Sequence, residues 1–140
     1  MILVDSSVWI SHFRGKEPRL ASLLNDEQVV THPCVIGELA LGSLKNRSQV
    51  LGDLQMLPQI SPASDKETME WIERRRIFGK GIGWIDAHLL LSCILNSTEL
   101  WTADKTHSGL LVSAERDFIL DSAAGSSPTE SKARRPQVSG

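Results

Sequence analysis

Four acidic residues, far apart in the sequence, lie next to segments that we predict to be strands or helices. Asp5 ends the apolar segment ILV at the start of the chain, and Asp104 closely follows the segment ELWT. Glu38 falls in the first turns of the helix predicted after the second strand, and Asp86 begins a strongly apolar helix. Parallel α/β folds bind ligands at the carboxyl ends of their strands, so we expect the four carboxylates to meet at one edge of a sheet.

The chemistry of such a cluster follows from its charge. Carboxylates within about 4–6 Å of one another repel and raise one another's pKa, so three or four of them require a cation. Neither Asp5 nor Asp86 has a Lys or Arg beside it in the sequence. A set of oxygen ligands without His or Cys suits Mg²⁺ or Mn²⁺ and makes zinc a poor fit. A divalent ion can activate water and stabilise the charge that develops on a phosphodiester, so the pattern predicts metal-dependent phosphoryl chemistry.

Each acid also has a simpler interpretation. An Asp after a strand is often a helix N-cap, which stabilises the helix by about 1 kcal/mol, and Asp86 and Asp104 fit that role. Glu38 could interact favourably with the helix dipole. Asp5 fits the capping role less well, because Ser6 or Ser7 could cap the same helix.

The segments that must position these acids alternate between short apolar runs and amphipathic stretches. We predict strands at residues 2–4, 28–32 and 99–102, with PQIS as a further short strand. The predicted helices are SSVWISHFR, EPRLASLLN, PCVIGELALGSLKN, SQVLGDLQML, KETMEWIERRRIFGKG and GWIDAHLLLSCILN. We expect the fifth of these to end in its glycines. This alternation is typical of an α/β domain with a mainly parallel sheet.

Composition indicates one ordinary globular domain. The chain has 140 residues, of which 41% are hydrophobic and 23% charged, with a formal net charge of -2. That charge gives no general attraction to nucleic acid, so a polyanion would have to be held by a local basic patch or a metal ion. We predict a domain at residues 1–121 and a disordered, mildly basic tail at 122–140, which is rich in Ser, Pro and Gly. Two cysteines without a CxxC pair and no membrane-spanning apolar run favour a cytoplasmic location.

Four motifs in order, MILVDSSVWI, PCVIGELALG, GWIDAHLL and LWTADK, resemble the PIN-domain ribonucleases, and most closely the VapC toxins of type II toxin–antitoxin systems. The resemblance covers residues 1–112. It implies a three-layer α/β/α sandwich with a central, mainly parallel sheet. It also implies an endoribonuclease that depends on Mg²⁺ or Mn²⁺ and leaves a 5′-phosphate and a 3′-hydroxyl.

The resemblance also assigns roles to the four acids. Asp5 and Asp86 match the family's most direct metal ligands, and Asp104 matches the acid that completes the site. Glu38 matches the glutamate that would position or deprotonate the attacking water. Each of the four therefore becomes an expected catalytic residue.

Two hydroxyls match the family residues that orient these carboxylates or their waters, namely Ser7 and Thr102. Thr106 stands where many relatives carry a further acid, so the number of metal ions, one or two, is left open. The C-terminal segment resembles nothing in the family.

Basic residues near the motifs are candidates for RNA phosphate contacts. They are Lys105, which follows Asp104, and the cluster Arg74, Arg75 and Arg76, although three consecutive arginines on a helix are more typical of a solvated surface. The four tryptophans are expected in the core or in a dimer interface, with Trp71 the most plausible to stack on bases. The four histidines lack metal-binding spacing and are expected to be structural or exposed.

The resemblance implies RNA as the substrate, transfer RNA foremost, with a cognate antitoxin and a second copy of the chain as protein partners. A PIN-fold binding module that has lost its chemistry remains an alternative. A phosphatase of the haloacid dehalogenase type would need a second Asp where Ser7 stands, so the sequence disfavours that class.

Overall fold

The computed structural model describes residues 1–103, and the predicted domain end at residue 121 and the tail at 122–140 lie outside the described residues. Within that range, strands alternate with helices, as the sequence predicts. The elements are β1 (Ile2–Val4), α1 (Ser6–Phe13), α2 (Pro18–Asn25), β2 (Val29–Val30), α3 (Pro33–Ala40), α4 (Arg47–Met56), α5 (Asp65–Arg75), α6 (Trp84–Leu95) and β3 (Glu99–Trp101). The predicted α/β class with a parallel sheet is confirmed.

The sheet of the described region has the order β2-β1-β3, and both strand pairs are parallel. Leu3 of the central strand lies opposite Val30 on one side and Leu100 on the other. Leu3 and Val4 of this strand are buried and Ile2 is partly buried, as expected for a central parallel strand. The predicted strand PQIS contributes only an isolated bridge between Thr31 and Gln59.

Several helix ends differ from the prediction. The helix that we expected over PCVIGELALGSLKN ends at Ala40 as α3, and a new helix, α4, begins at Arg47. Helix α5 begins with a reciprocal capping box between Ser64 and Glu67. It does not continue to the glycines, because Arg76 takes a left-handed conformation with φ of 53° and ends the helix.

The core consists of two groups of buried side chains, and Leu100 of β3 packs against both. Helix α6 contributes most to it, because every residue from Ala87 to Ile94 is buried. Cys93 is among them and is not part of a disulfide, as predicted for a core cysteine. No helix within residues 1–103 combines the length and the apolar character needed to cross a membrane.

A buried histidine connects the second strand to the last helix. The side chain of His32, at the N-cap of α3, accepts a hydrogen bond at Nδ1 from the backbone N–H of Cys34 (2.9 Å), so Nε2 carries the proton and donates to Ser92 Oγ (3.3 Å). Ser92 Oγ also accepts from the N–H of Ala63 (2.9 Å). Burial, and secondarily the nearby His88, lowers the pKa of His32 to about 4. The residue is therefore a neutral structural link at physiological pH.

Candidate active site

Asp5 lies where the central strand ends and α1 begins. Its backbone N–H donates to the carbonyl of Trp101 (2.9 Å), which fixes it beside the end of β3. The side chain is 7% exposed and makes no capping hydrogen bond to α1. Instead, Asp5 Oδ2 accepts hydrogen bonds from Ser7 Oγ (2.8 Å) and Thr102 Oγ1 (3.0 Å). The N-cap interpretation therefore does not explain this carboxylate, whereas orientation by two hydroxyls does.

Ser7 also fixes the chain that leaves β3. Its Oγ accepts a hydrogen bond from the backbone N–H of Ala103 (3.1 Å) while it donates to Asp5. The first turn of α1 is thus joined to the residue that immediately precedes Asp104. Asp104 itself, and the predicted phosphate contact Lys105, lie outside the described residues.

We expected Glu38 in the first turns of its helix, but it lies in the last turn of α3. The interpretation based on the helix dipole is therefore wrong, since a carboxylate is favoured near the N-terminus of a helix. Ser6 Oγ donates to Glu38 Oε1 (3.1 Å) across the space between α1 and α3. Partial burial raises the pKa of the Glu38 carboxyl; the hydrogen bond from Ser6 opposes this shift, and the negative charges of Asp5 and Asp86 raise the pKa further. Ser6 was missed at the sequence level, although its position beside Asp5 was a usable signal.

Asp86 is the third residue of α6, so the N-cap position belongs to Gly83. A Cβ atom added to Gly83 would lie 3.4 Å from Asp86 Oδ2, which shows how closely the backbone before α6 approaches this carboxylate. The helix N-terminus favours a negative charge at this position. The simple N-cap interpretation of Asp86 is therefore wrong, although a favourable dipole interaction remains.

The negative charges of Asp5 and Asp86 both raise the pKa of Glu38, so three of the four predicted acids lie in one region. Among residues 1–103, however, no three His, Cys, Asp or Glu side chains are arranged closely enough to hold a metal ion on their own. Mg²⁺ is often bound through only one or two carboxylates, with water and substrate oxygens as the other ligands. The oxygen-only donors present here fit Mg²⁺ or Mn²⁺ on that basis, with Asp5 and Asp86 as the residues able to hold it.

Comparison with known proteins identifies the fold family. The family model described as the PIN domain matches residues 2–110. The chain belongs to the PIN-domain family. Its PIN domain is 47% identical over 106 residues to Ribonuclease VapC32 of Mycobacterium tuberculosis, in strains CDC 1551 / Oshkosh and ATCC 25618 / H37Rv. Each alignment covers 75% of this chain and 86% of the relative, so the resemblance to the VapC branch of PIN domains is confirmed.

The basic and aromatic residues of this PIN domain differ in their accessibility. Arg74 and Arg76 are exposed, whereas Arg75 is half-buried and already interacts within the protein. Trp71 is only 4% exposed and packs in the core, as expected for the tryptophans in general, so it is not the exception that stacks on bases. Trp84 is instead 42% exposed, which its apolar neighbours in the sequence did not indicate.

Proposed function

We propose that the protein is a Mg²⁺- or Mn²⁺-dependent endoribonuclease that hydrolyses RNA phosphodiester bonds, and that it is the toxin of a type II toxin–antitoxin pair. One observation carries this proposal. The buried carboxylate of Asp5 is oriented by Ser7 and Thr102, and it lies close enough to raise the pKa of Glu38. The similarity to Ribonuclease VapC32 supports RNA as the substrate.

In this mechanism Asp5 and Asp86 hold the metal ion, and Asp104 completes the site. When bound, the ion stabilises the negative charge that develops on the phosphodiester and favours the ionisation of water. Glu38 orients the attacking water and accepts its proton. The raised pKa of Glu38 makes it a stronger base than an ordinary glutamate, which suits general-base catalysis near neutral pH.

Ser7 and Thr102 act on the reaction through Asp5. Two donors on the same oxygen, Oδ2, restrict the rotation of the carboxylate. Within the described residues Oδ1 receives neither of these bonds, so it is the oxygen that we assign to the metal ion. Hydroxyls that hold a ligand in this way preorganise its geometry before the ion arrives.

The partners follow from the same proposal. The RNA that we propose is a transfer RNA, with phosphate contacts from Arg74, Arg76 and Lys105. A cognate antitoxin and a second copy of the chain would cover exposed apolar side chains such as Leu41 and Met56. Cys34 and Cys93 do not form a disulfide, which fits a reducing cytoplasm.

The test is RNA cleavage by purified protein with Mg²⁺ or Mn²⁺, compared with the same reaction in EDTA. We expect Asp5→Asn to abolish cleavage and Glu38→Gln to slow it by about 10²–10⁴-fold, the usual contribution of a general base. Asp53→Asn, which changes an exposed carboxylate on α4, is the matched control and should cleave like the wild type. RNA binding without turnover would favour the lapsed binding module, and equal cleavage by wild type and Asp5→Asn would remove Asp5 from the mechanism.

A further inference from the structure

The connection between α5 and α6, with the first residue of α6, carries exposed aromatic and basic side chains and leads into the helix turn that contains Asp86. We call residues 76–84 the α5–α6 segment. Phe78 is 56% exposed and Trp84 42% exposed, and Arg76 and Lys80 are exposed between and beside them. The segment ends beside one of the candidate carboxylates, because a Cβ atom added to its Gly83 would lie 3.4 Å from Asp86 Oδ2.

One buried side chain fixes the start of this segment and turns its neighbour outward. The N–H of Ile77 donates to the carbonyl of Ile72 (3.1 Å), and Ile77 is buried in the core with Ile72 packed against the same group. This is the hydrogen bond and the apolar contact of a Schellman helix end. With Ile77 anchored inside, Phe78 lies on the surface at a defined place.

The helix end does not require an arginine at residue 76. Arg76 has φ of 53° and ψ of 49°, the left-handed region in which glycine is favoured over residues with a Cβ atom. Its side chain is exposed. Arg76 is therefore unfavourable for the local backbone and exposes a positive charge to solvent. Binding of a ligand explains its presence better than the fold does.

Trp84 is held in a fixed orientation although much of its surface is accessible. The ring of His88 packs against it at right angles, with the ring centroids 4.5 Å apart. His88 Nε2 is in turn 3.0 Å from Asp65 Oδ1. An indole held this way loses little conformational freedom when a flat ligand covers its exposed surface.

We infer that the α5–α6 segment binds an unpaired stretch of the RNA substrate, with bases stacking on Phe78 and Trp84 and phosphates contacting Arg76 and Lys80. Aromatic side chains with flanking cations are the usual surface for single-stranded nucleic acid, and bases inside a duplex are not available to stack on them. Because the net charge of the chain is -2, such a local group of cations is needed to attract RNA. The inference rests on the proposed function, since the bound RNA is the substrate of the proposed nuclease and the segment leads into the helix turn that carries Asp86.

The first test is equilibrium binding in EDTA, which is independent of hydrolysis. The probes are a fluorescent single-stranded RNA of twelve nucleotides, the same RNA as a duplex, and an abasic version. We expect the single strand to bind more tightly than the other two, and Phe78→Leu to weaken its binding about tenfold, because a base stacked on an aromatic ring contributes about that much. Leucine keeps an apolar side chain but has no ring, so wild-type affinity in this variant would overturn the stacking assignment.

The second test uses Arg76→Gly, a substitution that the backbone accommodates. Thermal stability should be unchanged or higher, while the salt dependence of RNA binding should fall by about 0.7 in log–log slope, the loss of one phosphate contact to a single strand. Lys45→Gln and Met69→Ala, which alter an exposed cation and an exposed apolar side chain outside the segment, should bind like the wild type. An unchanged slope in Arg76→Gly would remove Arg76 from the RNA surface.

A measurement of the oligomeric state shows whether the molecule that covers this surface is RNA or a protein. If Phe78→Leu changes the sedimentation coefficient of the protein and leaves RNA affinity intact, the segment is a protein interface and the inference is wrong. Cleavage by the wild type in Mg²⁺ is measured separately. Selective binding of the single strand without cleavage would support the inference and contradict the proposed nuclease. Cleavage by the wild type, together with wild-type RNA affinity in Phe78→Leu, would support the proposed nuclease and contradict the inference.

Discussion

Removal of the two hydroxyls that hold Asp5 should weaken metal binding without unfolding the protein. Ser7→Ala deletes the donor at 2.8 Å from Asp5 Oδ2, and Thr102→Val deletes the donor at 3.0 Å while keeping a similar side-chain shape. Either change leaves the carboxylate in place with one hydroxyl instead of two. The carboxylate can then rotate, so its second oxygen is less well oriented toward an ion.

The expected magnitude follows from the type of contact. Hydrogen bonds to charged groups contribute about 1.5–3 kcal/mol, and loss of a residue that orients a metal ligand typically lowers metal affinity about 10–100-fold. Ser7→Ala should have the larger effect on the position of residue 103, because it also removes the acceptor for the N–H of Ala103. That N–H lies in an exposed residue and can bond to water, so the loss of this second hydrogen bond should add no more than about 1 kcal/mol to the cost in stability.

Isothermal titration calorimetry with Mn²⁺ measures the effect directly, and circular dichroism checks that the variants are folded. Ser11→Ala, a serine replacement on the same helix, is the matched control and should titrate like the wild type. If folded Ser7→Ala and Thr102→Val both keep wild-type Mn²⁺ affinity, then the two hydroxyls do not act through a metal ligand, and Asp5 does not have the role assigned to it.

Three further outcomes are expected. Because the pKa of His32 falls to about 4 on folding from an ordinary value of 6.5, the unfolded chain binds the extra proton. The free energy of unfolding should therefore decrease by up to about 3 kcal/mol as pH falls from about 6.5 to 4, and chemical denaturation of His32→Asn should show a shallower pH dependence. Ser64→Ala should lower the free energy of unfolding by about 1 kcal/mol, since it breaks the capping box with Glu67; an unchanged denaturation midpoint would contradict this. In metal-free protein, Asp86→Asn should lower the pKa of Glu38, as followed by carbon NMR of its carboxyl group, because one of the two neighbouring negative charges is lost.

The sequence was sufficient for the order of elements and for the parallel sheet. A continuous apolar run such as ILV is typical of a strand buried within a parallel sheet, and β1 is indeed the central strand. The rule that ligands bind at the carboxyl ends of parallel strands then placed Asp5 at the edge where Thr102 also lies. These conclusions depend on local pattern and on chain topology, which a single sequence carries.

Features decided by tertiary packing were not predictable in the same way. The end of α5 is set by the burial of Ile77, which overrides the usual preference for glycine and leaves Arg76 in the left-handed region. Trp71 is buried because α5 packs on α6, although its polar neighbours in the sequence suggested exposure. A helical pattern shows which residues share a face of a helix, but it does not show which face another element covers.

The hydrogen bond between Thr102 and Asp5 joins residues 97 positions apart in the chain. During translation, the amino-terminal strand leaves the ribosome long before the segment that carries this threonine has been made. The carboxylate consequently acquires its fixed orientation only after nearly the whole described region has been synthesised and β3 has paired with β1. An unfinished polypeptide thus lacks the completed centre, so the activity that we propose would begin only after β3 has been made.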